Sequence, residues 1–249
     1  MKNLEASFSI VTMKGVLPFL LRGVAFTVVI SAVAVLVGVV FGYLLAIARN
    51  YCTKKDNRIL GILATLYIEL FRNTPLLLWI FICLVFLPIP GFLKRKMLGL
   101  SSVEAGLLFK GAFALILFES SVIAEIVRGG LNAIPAGQFE AAKSQGFSSV
   151  QTMIYIILPQ VYHKIVPTLL SQVISTIKDS SYLANIAIIE LMARTKQVLA
   201  NANRYNGTGQ INVSDVFVLF GFAFAIYFVI DFTLSIIVRR TAKKELRAR

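Results

Sequence analysis

The sequence predicts an all-α integral membrane protein with about five transmembrane helices and a short cytoplasmic helix. Of its 249 residues 57% are hydrophobic, and the mean hydropathy is +0.80, which is too apolar for a soluble domain with one buried core. The apolar residues fall in long runs, and a helix that crosses the membrane needs about 20 such residues. The net charge of +13 lies between the runs, which is typical of the positive-inside pattern and not of nucleic-acid binding.

Five apolar spans follow one another along the chain. They cover residues 20–48, 59–87, 103–127, 152–177 and 215–238. The first contains Gly38 and Gly42, a spacing that lets another helix approach closely but that also arises by chance. The run begins near Val16 and exceeds the length of a signal-peptide core, so we expect it to be retained as an anchor. We expect residues 1–249 to form one transmembrane domain.

Prolines and glycines predict where the spans bend or stop. Pro75 lies inside the second span and is expected to kink it. The Gly129-Gly130 pair, together with Pro135, is expected to break the pattern after the third span. A polar loop, residues 128–151, then leads to the fourth span. The mixed segment 178–214 is typical of short helices and loops.

The charges of the loops predict the orientation of the chain. The basic segment after Val238 is expected to be cytoplasmic, and five spans then place the N-terminus outside. The loops at residues 49–58 and 128–151 become cytoplasmic, and the first is as basic as expected. Residues 94–96, Lys-Arg-Lys, are an exception because they would lie outside.

The loop before the fourth span carries the most specific motif. It reads Glu140-Ala141-Ala142, then Gly146 after three residues, then Ile156-Ile-Leu-Pro159 after nine more. Every position and spacing of the pattern E-A-A-x3-G-x9-I-x-L-P is present. The chain therefore resembles the permease subunits of binding-protein-dependent ABC importers, whose EAA loop carries this pattern.

The resemblance implies a type I ABC importer permease fold, in which the loop forms a coupling helix that docks on a separate ATPase. The implied coupling residues are Glu140, Ala141, Ala142, Gly146 and Pro159. The alanines add almost no bulk, so such a helix can enter a groove, and Gly146 suits the left-handed end of a helix. Glu140 either pairs with a basic residue of the partner or favours the helix N-terminus. The alternative is a surface helix packed on the permease itself.

Three further segments are similar to those of polar amino acid permeases. They are residues 69–77, residues 124–138 and Lys178-Asp179-Ser180-Ser181. The resemblance implies that an extracytoplasmic binding protein delivers polar amino acids to the permease. The first segment favours glutamate or aspartate, while glutamine, basic amino acids and cystine stay open.

The resemblance also implies an assembly in the bacterial inner membrane. Its parts are two ATPase subunits, a second permease copy or a paralogue, the binding protein and the surrounding lipid, with no nucleic acid. The sequence has no G-x-x-x-x-G-K-[ST] phosphate loop, so ATP and Mg would be bound by the ATPase. We therefore expect no cofactor in this chain, no metal site and no enzymatic activity of its own.

Ionisable residues inside apolar spans are costly and indicate function. The candidates for a substrate pathway are Glu69, Arg72, Glu119, Glu125, Lys178, Asp179, Ser180 and Ser181. Glu69 and Arg72 lie three apart on one helical face, about 15 Å into the second span, where they can pair. Arg72 could meet the carboxylate of an amino acid, and Glu119, Glu125 or Asp179 its ammonium.

A structural role is the alternative for these charges. Glu69 and Arg72 would then form an ion pair that holds the kink at Pro75. Glu125 and Arg128 would belong to the cytoplasmic interface.

Two other functions remain open from the sequence. An ion-coupled secondary transporter would use Glu69, Glu119 and Asp179 as ion or proton sites, but such transporters usually show inverted repeats, which this sequence lacks. A scaffold without transport activity would bind an ATPase through the same loop, but it would have no use for charges within its spans.

Overall fold

The fold is that of a computed structural model, which describes residues 2–51, 58–94, 99–207 and 209–247. The helices are α1 (Lys2–Thr12), α2 (Val16–Tyr51), α3 (Arg58–Arg72), α4 (Leu76–Phe86), α5 (Ser102–Asn132), α6 (Ala136–Ser144), α7 (Ser149–Gln151), α8 (Leu158–Asp179), α9 (Leu191–Ala200), α10 (Ala202–Tyr205) and α11 (Val213–Arg247). Two 3₁₀ turns, Gly91–Lys94 and Ser180–Ile186, and a π-helical turn, Thr152–Ile157, lie between them. The cations Lys54, Lys55, Arg95 and Lys96 of two predicted loops lie outside the described residues.

Four helical stretches of the described chain are long and apolar enough to cross a membrane, and a fifth crossing is added if a bent pair of helices forms one span. The four are Val16–Asn50, Ser102–Asn132, Ser149–Ile186 and Val213–Lys243, and the pair is α3 with α4. The prediction of an all-α protein with about five spans is thus confirmed. The four single stretches exceed the predicted spans because the helices continue into flanking polar residues. The mixed segment 178–214 holds the short helices α9 and α10, as predicted.

The second span is broken near its proline. α3 ends at Arg72, α4 begins at Leu76, and the two are bent by 108°. Proline disfavours helical backbone at the residue before it, so the helix stops ahead of Pro75. The expected kink is therefore a full break. The depth of about 15 Å expected for Glu69 and Arg72 assumed one continuous helix and loses its basis.

The third span does not stop at its paired glycines. α5 continues through Gly129 and Gly130, so the glycine part of the expected break was wrong. The helix ends at Asn132, ahead of Pro135, the other residue of that prediction. A Cβ atom on Gly130 would lie 2.3 Å from Ile165 Cγ2 and 3.0 Å from Val161 Cγ1, both on α8. Gly130 therefore permits close packing of α5 on α8. That packing offsets the cost of about 1 kcal/mol of a glycine inside a helix.

The glycine pair of the first span also lies at a close helix contact. A Cβ atom on Gly42 would lie 2.8 Å from Ile123 Cγ2 and 3.0 Å from Ala124 N, and one on Gly38 would lie 3.2 Å from Glu119 Cβ. All three neighbours belong to α5. The spacing of Gly38 and Gly42 thus lets α2 and α5 approach each other, as the first interpretation of this pair proposed.

The chain divides into two compact units. Unit 1 comprises Met1–Val33, Leu77–Leu115 and Ser175–Thr233, and unit 2 comprises Ala34–Leu76, Ile116–Ile174 and Leu234–Arg249. The core of unit 1 contains Ile10, Val16, Leu20, Leu191, Val198, Ala202, Leu219 and Ala223. The core of unit 2 contains Ala46, Ile68, Ile123, Ala124, Val127, Leu131, Ile134, Ile157, Val161 and Ile165. Large apolar side chains such as Leu36 and Phe224 are exposed on the same helices, as lipid-facing residues are.

Candidate functional site

The predicted cytoplasmic helix is α6, which Gly146 terminates with a left-handed backbone at φ +84°. Gly146 N–H donates to Lys143 O at 3.0 Å, and Phe147 N–H donates to Ala142 O at 3.1 Å. These two bonds form a Schellman motif, which favours glycine at its left-handed position. The predicted role of Gly146 as the helix terminator is confirmed.

α6 turns one side to solvent and another to its own chain. Glu140 and Ala141 are exposed, whereas Ala142 is only 2% exposed. Phe139 packs against the core of unit 2. The two alanines therefore do not share a free face. Ala142 lets α6 lie close on unit 2, and Glu140 with Ala141 is left open to a partner.

Side chains tie the α6 loop to α8. Gln160 Nε2 donates to Gln138 Oε1 at 3.1 Å, and Lys164 Nζ donates to Ala133 O at 2.6 Å. Pro159 is exposed at the second position of α8, directly after the π-helical turn. Proline has no N–H group and leaves a regular helix one hydrogen bond short, and its ring clashes with the carbonyl four residues earlier. The π-helical turn before Pro159 interrupts the regular hydrogen-bond pattern at this point. The two hydrogen bonds therefore join the α6 loop to the first turns of α8.

Five charged residues from α2, α3 and α5 meet in unit 2. Arg49 Nη2 lies 2.8 Å from Glu69 Oε1, and Arg49 Nη1 lies 3.1 Å from Glu125 Oε2. Glu125 also contacts Arg72, at 3.5 Å, and Arg128. We call these five residues the arginine–glutamate cluster. Its three guanidinium and two carboxylate groups leave a net charge of +1.

The arginine–glutamate cluster changes the expected pairing. The ion pairs of Glu69 and Arg72 run to Arg49 and Glu125, and not to each other. Arg49 is a member that the sequence reasoning left in the basic loop. Its partners lie 20 and 76 positions away, and no local spacing signals such contacts.

Glu119 lies fully buried in unit 2. Gln172 Nε2 on α8 donates to Glu119 Oε2 at 3.0 Å. The next residue, Ser120, forms a 2.8 Å hydrogen bond with the hydroxyl of Tyr67. A buried carboxylate needs a hydrogen-bond donor, which for Glu119 is Gln172. The structure therefore places Glu119 with Gln172 and apart from the ion pairs of Glu125.

The candidates Lys178 to Ser181 lie in unit 1, where α8 passes into a 3₁₀ turn. Lys178 is exposed, Asp179 and Ser181 are half-buried, and Ser180 is buried. Asp231 on α11 is half-buried, and its Oδ1 atom is buried with no hydrogen-bond partner among the residues that the structure describes. The sequence reasoning missed Asp231, although a lone carboxylate inside the last apolar run was the signal for it.

Glu190 is a second carboxylate of unit 1 that the sequence reasoning missed. It is fully buried and caps α9, accepting hydrogen bonds from Ala193 N–H at 2.6 Å and Met192 N–H at 2.9 Å. The hydroxyl of Tyr227 donates to it at 3.0 Å. Desolvation raises the pKa of Glu190 above its ordinary range in spite of these donors.

Arg194 is the buried cation on the first turn of α9. It donates to Phe19 O at 2.9 Å and to Ile189 O at 3.2 Å, and its guanidinium lies 4.3 Å from the centroid of the Phe19 ring. Burial lowers its pKa. These contacts fix α9 against α2, so Arg194 is a structural residue.

A known family matches most of the chain. The family described as "Binding-protein-dependent transport system inner membrane component" matches residues 38–244. The probable glutamine ABC transporter permease protein GlnP of Bacillus subtilis is 34% identical over 224 residues, which are 90% of this chain and 92% of that protein. The glutamate/aspartate import permease protein GltK of Escherichia coli O157:H7 is 33% identical over 233 residues, 91% of this chain and 95% of that protein.

Solved structures share the fold. An amino acid ABC transporter crystallised with histidines superposes with a TM-score of 0.70 at 26% identity, covering 91% of this chain and 94% of that one. The inward-facing MetNI methionine ABC transporter superposes with a TM-score of 0.66 at 20% identity, covering 92% and 99%. The second likeness concerns the fold alone. Together they confirm the predicted fold class.

Proposed function

Because the chain belongs to the family of binding-protein-dependent transport system inner membrane components, we propose that it is the permease subunit of an ATP-driven ABC importer of polar amino acids. The observation that carries the proposal is the family match over residues 38–244. The names of the relatives, which specify glutamine or glutamate and aspartate, support the substrate class. The exposed side of α6 supports a partner at the coupling loop.

The chain is a multi-pass protein of the inner membrane. In the proposed orientation its N-terminus lies outside and its C-terminus lies in the cytoplasm. α6 is then cytoplasmic, where an ATPase can reach Glu140 and Ala141. The whole chain acts as one permease domain and pairs with a second copy or with a paralogue, in contact with lipid and not with nucleic acid.

α6 is the proposed lever between the permease and two ATPase subunits, which bind the ATP and Mg. Closure of the ATPases pushes the exposed side of α6. Ala142 and Phe139 pass the push to the core of unit 2, and the Gln138–Gln160 hydrogen bond passes it to α8. A rigid-body movement of this kind switches a transport pathway between its inward-facing and outward-facing states. A binding protein delivers the amino acid from outside.

The contacts support a narrower set of pathway residues than the sequence does. Arg72 and Glu125, which were candidates for the two charges of an amino acid, contact each other. This supports a structural role for the arginine–glutamate cluster, as a joint between three helices. Lys178 and Asp179 are the better candidates, because the first is exposed and the second half-buried on a proposed transmembrane helix.

The experiment that tests the coupling role is amino acid uptake by proteoliposomes holding the permease, its ATPase and its binding protein. Glu140→Lys should reduce ATP-dependent uptake and ATPase binding by about tenfold or more, because reversing a charge at an interface weakens docking strongly. Glu5→Lys is the matched control, since it reverses another exposed carboxylate, in α1. It should leave both measurements unchanged.

Two results would contradict the proposed function. If Glu140→Lys inserts in the membrane and keeps full uptake and ATPase binding, α6 is not the coupling helix. If uptake continues without the ATPase and follows an ion gradient, the chain is an ion-coupled secondary transporter.

A further inference from the structure

The last helix carries its cations on one side where it leaves the apolar span. α11 continues to Arg247, and lysine or arginine occupies positions 239, 240, 243, 244 and 247. At about 100° per residue these positions fall within an arc of about 140°, and Glu245 lies about 100° beyond its edge. We call the five positions the basic stripe. The orientation of a span depends on the number of nearby cations and not on their side of the helix, so orientation alone does not explain the arc.

The basic stripe is turned away from the protein's own chain. Arg239, Arg240 and Lys243 are exposed, whereas Thr241 and Ala242, which lie outside the arc, are half-buried. This part of α11 belongs to unit 2, so the half-buried side packs on that unit. The ion pairs between described residues do not include the three exposed cations. The stripe is therefore open to a partner outside the chain.

The basic stripe continues the side of α11 that faces lipid. Upstream of Arg239, the apolar residues Phe228, Val229, Phe232 and Ile236 are exposed. At about 100° per residue, their positions lie inside the arc of the stripe or within about 20° of its edge. One side of a single helix thus changes from apolar to cationic. A surface that contacts acyl chains and then lipid headgroups has this arrangement.

The length of α11 sets the depth of the first cations of the stripe. Residues 216–238 rise about 34 Å, and the hydrocarbon core of a bilayer is about 30 Å thick. A headgroup layer adds about 5–8 Å on each side, which about four further residues cross. Arg239, Arg240 and Lys243 therefore lie at the depth of the lipid phosphates. A soluble partner would have to enter the headgroup layer to meet them.

We propose that the basic stripe binds anionic phospholipids of the cytoplasmic leaflet through their phosphate groups. Arg240 and Lys243 donate charge-assisted hydrogen bonds to the phosphate oxygens, and the exposed apolar side chains contact the acyl chains. An anionic leaflet attracts juxtamembrane cations by a factor of about five for each cation. Such a lipid fixes the end of α11, and with it this part of unit 2, in the headgroup layer. The lipid site uses the proposed orientation but not the proposed substrate.

The test measures lipid contact beside the stripe in a bilayer of phosphatidylcholine. The full-length permease, in a variant that lacks Cys52 and Cys83, carries a bimane fluorophore on Ile237→Cys, an exposed position next to the stripe. The quencher is phosphatidylglycerol or phosphatidylcholine with a nitroxide near the headgroup end of one acyl chain. Half-maximal quenching should need at least about tenfold less of the labelled phosphatidylglycerol. High salt should reduce this preference, because it screens exposed charges.

Two variants separate the stripe from the total charge. The first exchanges neighbouring residues, with Arg240→Thr and Thr241→Arg together with Ala242→Lys and Lys243→Ala. It keeps the composition and moves two cations out of the arc. The second, Arg240→Gln with Lys243→Gln, removes the same two cations and adds none to the half-buried side. Both should reduce the preference for phosphatidylglycerol to about twofold, because two of the three cations at the depth of the phosphates have left the stripe.

The matched controls keep the stripe intact. Arg58→Gln with Lys143→Gln removes two exposed cations elsewhere in unit 2 and should leave the preference unchanged. A fluorophore on Phe217→Cys, an exposed position near the other end of α11, should be quenched equally by the two lipids. The same preference at both ends of the helix would show a general attraction to anionic lipid and would exclude the stripe as its site.

The lipid site is also excluded if both stripe variants keep the preference of wild type. If the exchanged variant does not insert in the membrane, the variant with two glutamines decides alone. If the variants keep the preference but weaken binding of the ATPase, the stripe contacts that subunit and not lipid. None of these measurements uses transport, so a failure of the lipid site is distinct from a failure of the proposed function.

Discussion

Glu190 and Arg194 are both buried and stand four positions apart, but their hydrogen-bond partners differ. Glu190 is held by amide and hydroxyl donors, and Arg194 by carbonyl oxygens and an aromatic ring. Each loses hydration, and desolvation disfavours the charged form of either group. The protonation of Glu190 is therefore linked to the stability of the protein.

Glu190→Gln should make thermal stability less dependent on pH. The pKa of Glu190 is raised in the folded protein, so over a range of pH the folded chain holds a proton that the unfolded chain releases. This contribution to the free energy of unfolding is complete below the ordinary pKa of 4.5 and is lost as the pH rises through the folded value. The thermal midpoint of wild type in detergent should fall over this range, and that of the variant should fall less.

The control for this comparison is Glu5→Gln, which removes an exposed carboxylate. It should keep the pH dependence of wild type. Equal slopes for wild type and Glu190→Gln would show that Glu190 does not titrate in this range.

Local geometry explains which residues could be predicted from the sequence. Gly146 could, because the end of a helix needs one residue with a left-handed backbone and glycine suits it. The partners of Arg49 could not, because they depend on how three helices pack. The spacing of three residues on a helix favours an ion pair between Glu69 and Arg72. In the folded chain, however, Glu69 pairs with Arg49 and Arg72 pairs with Glu125.

Glycine has two uses among the helices of unit 2. Gly146 ends α6, whereas Gly42 and Gly130 let α5 pack closely on α2 and α8. In the sequence a helix stop and a close contact can look alike, since both require the absence of a side chain. This is why the paired glycines were wrongly expected to break α5, whereas the helix does end ahead of Pro135.

Gly130→Ala should destabilise the protein, whereas Gly129→Ala should not. The new methyl group at position 130 would meet Ile165 and Val161, but a Cβ atom on Gly129 would have no neighbour within 4 Å among the described residues. Overpacking of this kind costs about 1–3 kcal/mol. Removing a glycine from an open helical position gains up to about 1 kcal/mol. Thermal unfolding in detergent measures both, and equal midpoints would contradict the close packing of α5 on α8.

Apolar runs predicted the class of the whole molecule because crossing a membrane sets a minimum length for each run. They did not predict the two compact units. The core of unit 2, for example, joins Ile68, Ile123 and Ile165 from three helices. Contacts between residues so far apart along the chain follow from packing and leave no periodic signal in the sequence.

The orientation of the whole chain can be tested with single cysteines in a variant that lacks Cys52 and Cys83. Glu5→Cys and Arg240→Cys place the thiols at exposed positions near the two ends. An impermeant maleimide should label the first on intact spheroplasts and the second only after permeabilisation, because the basic C-terminal segment is retained in the cytoplasm. The opposite pattern would put α6 outside and remove it from any ATPase.

The π-helical turn at Thr152–Ile157 separates two helical phases. A π turn closes its hydrogen bond one residue later than an α turn does, so the side chains beyond it are rotated by about 100° from their places in an unbroken helix. Labelling measured residue by residue along positions 158–174 will therefore follow one wave with a period of 3.6 residues. That register, carried back across the π-helical turn to positions 149–151, will be one residue out.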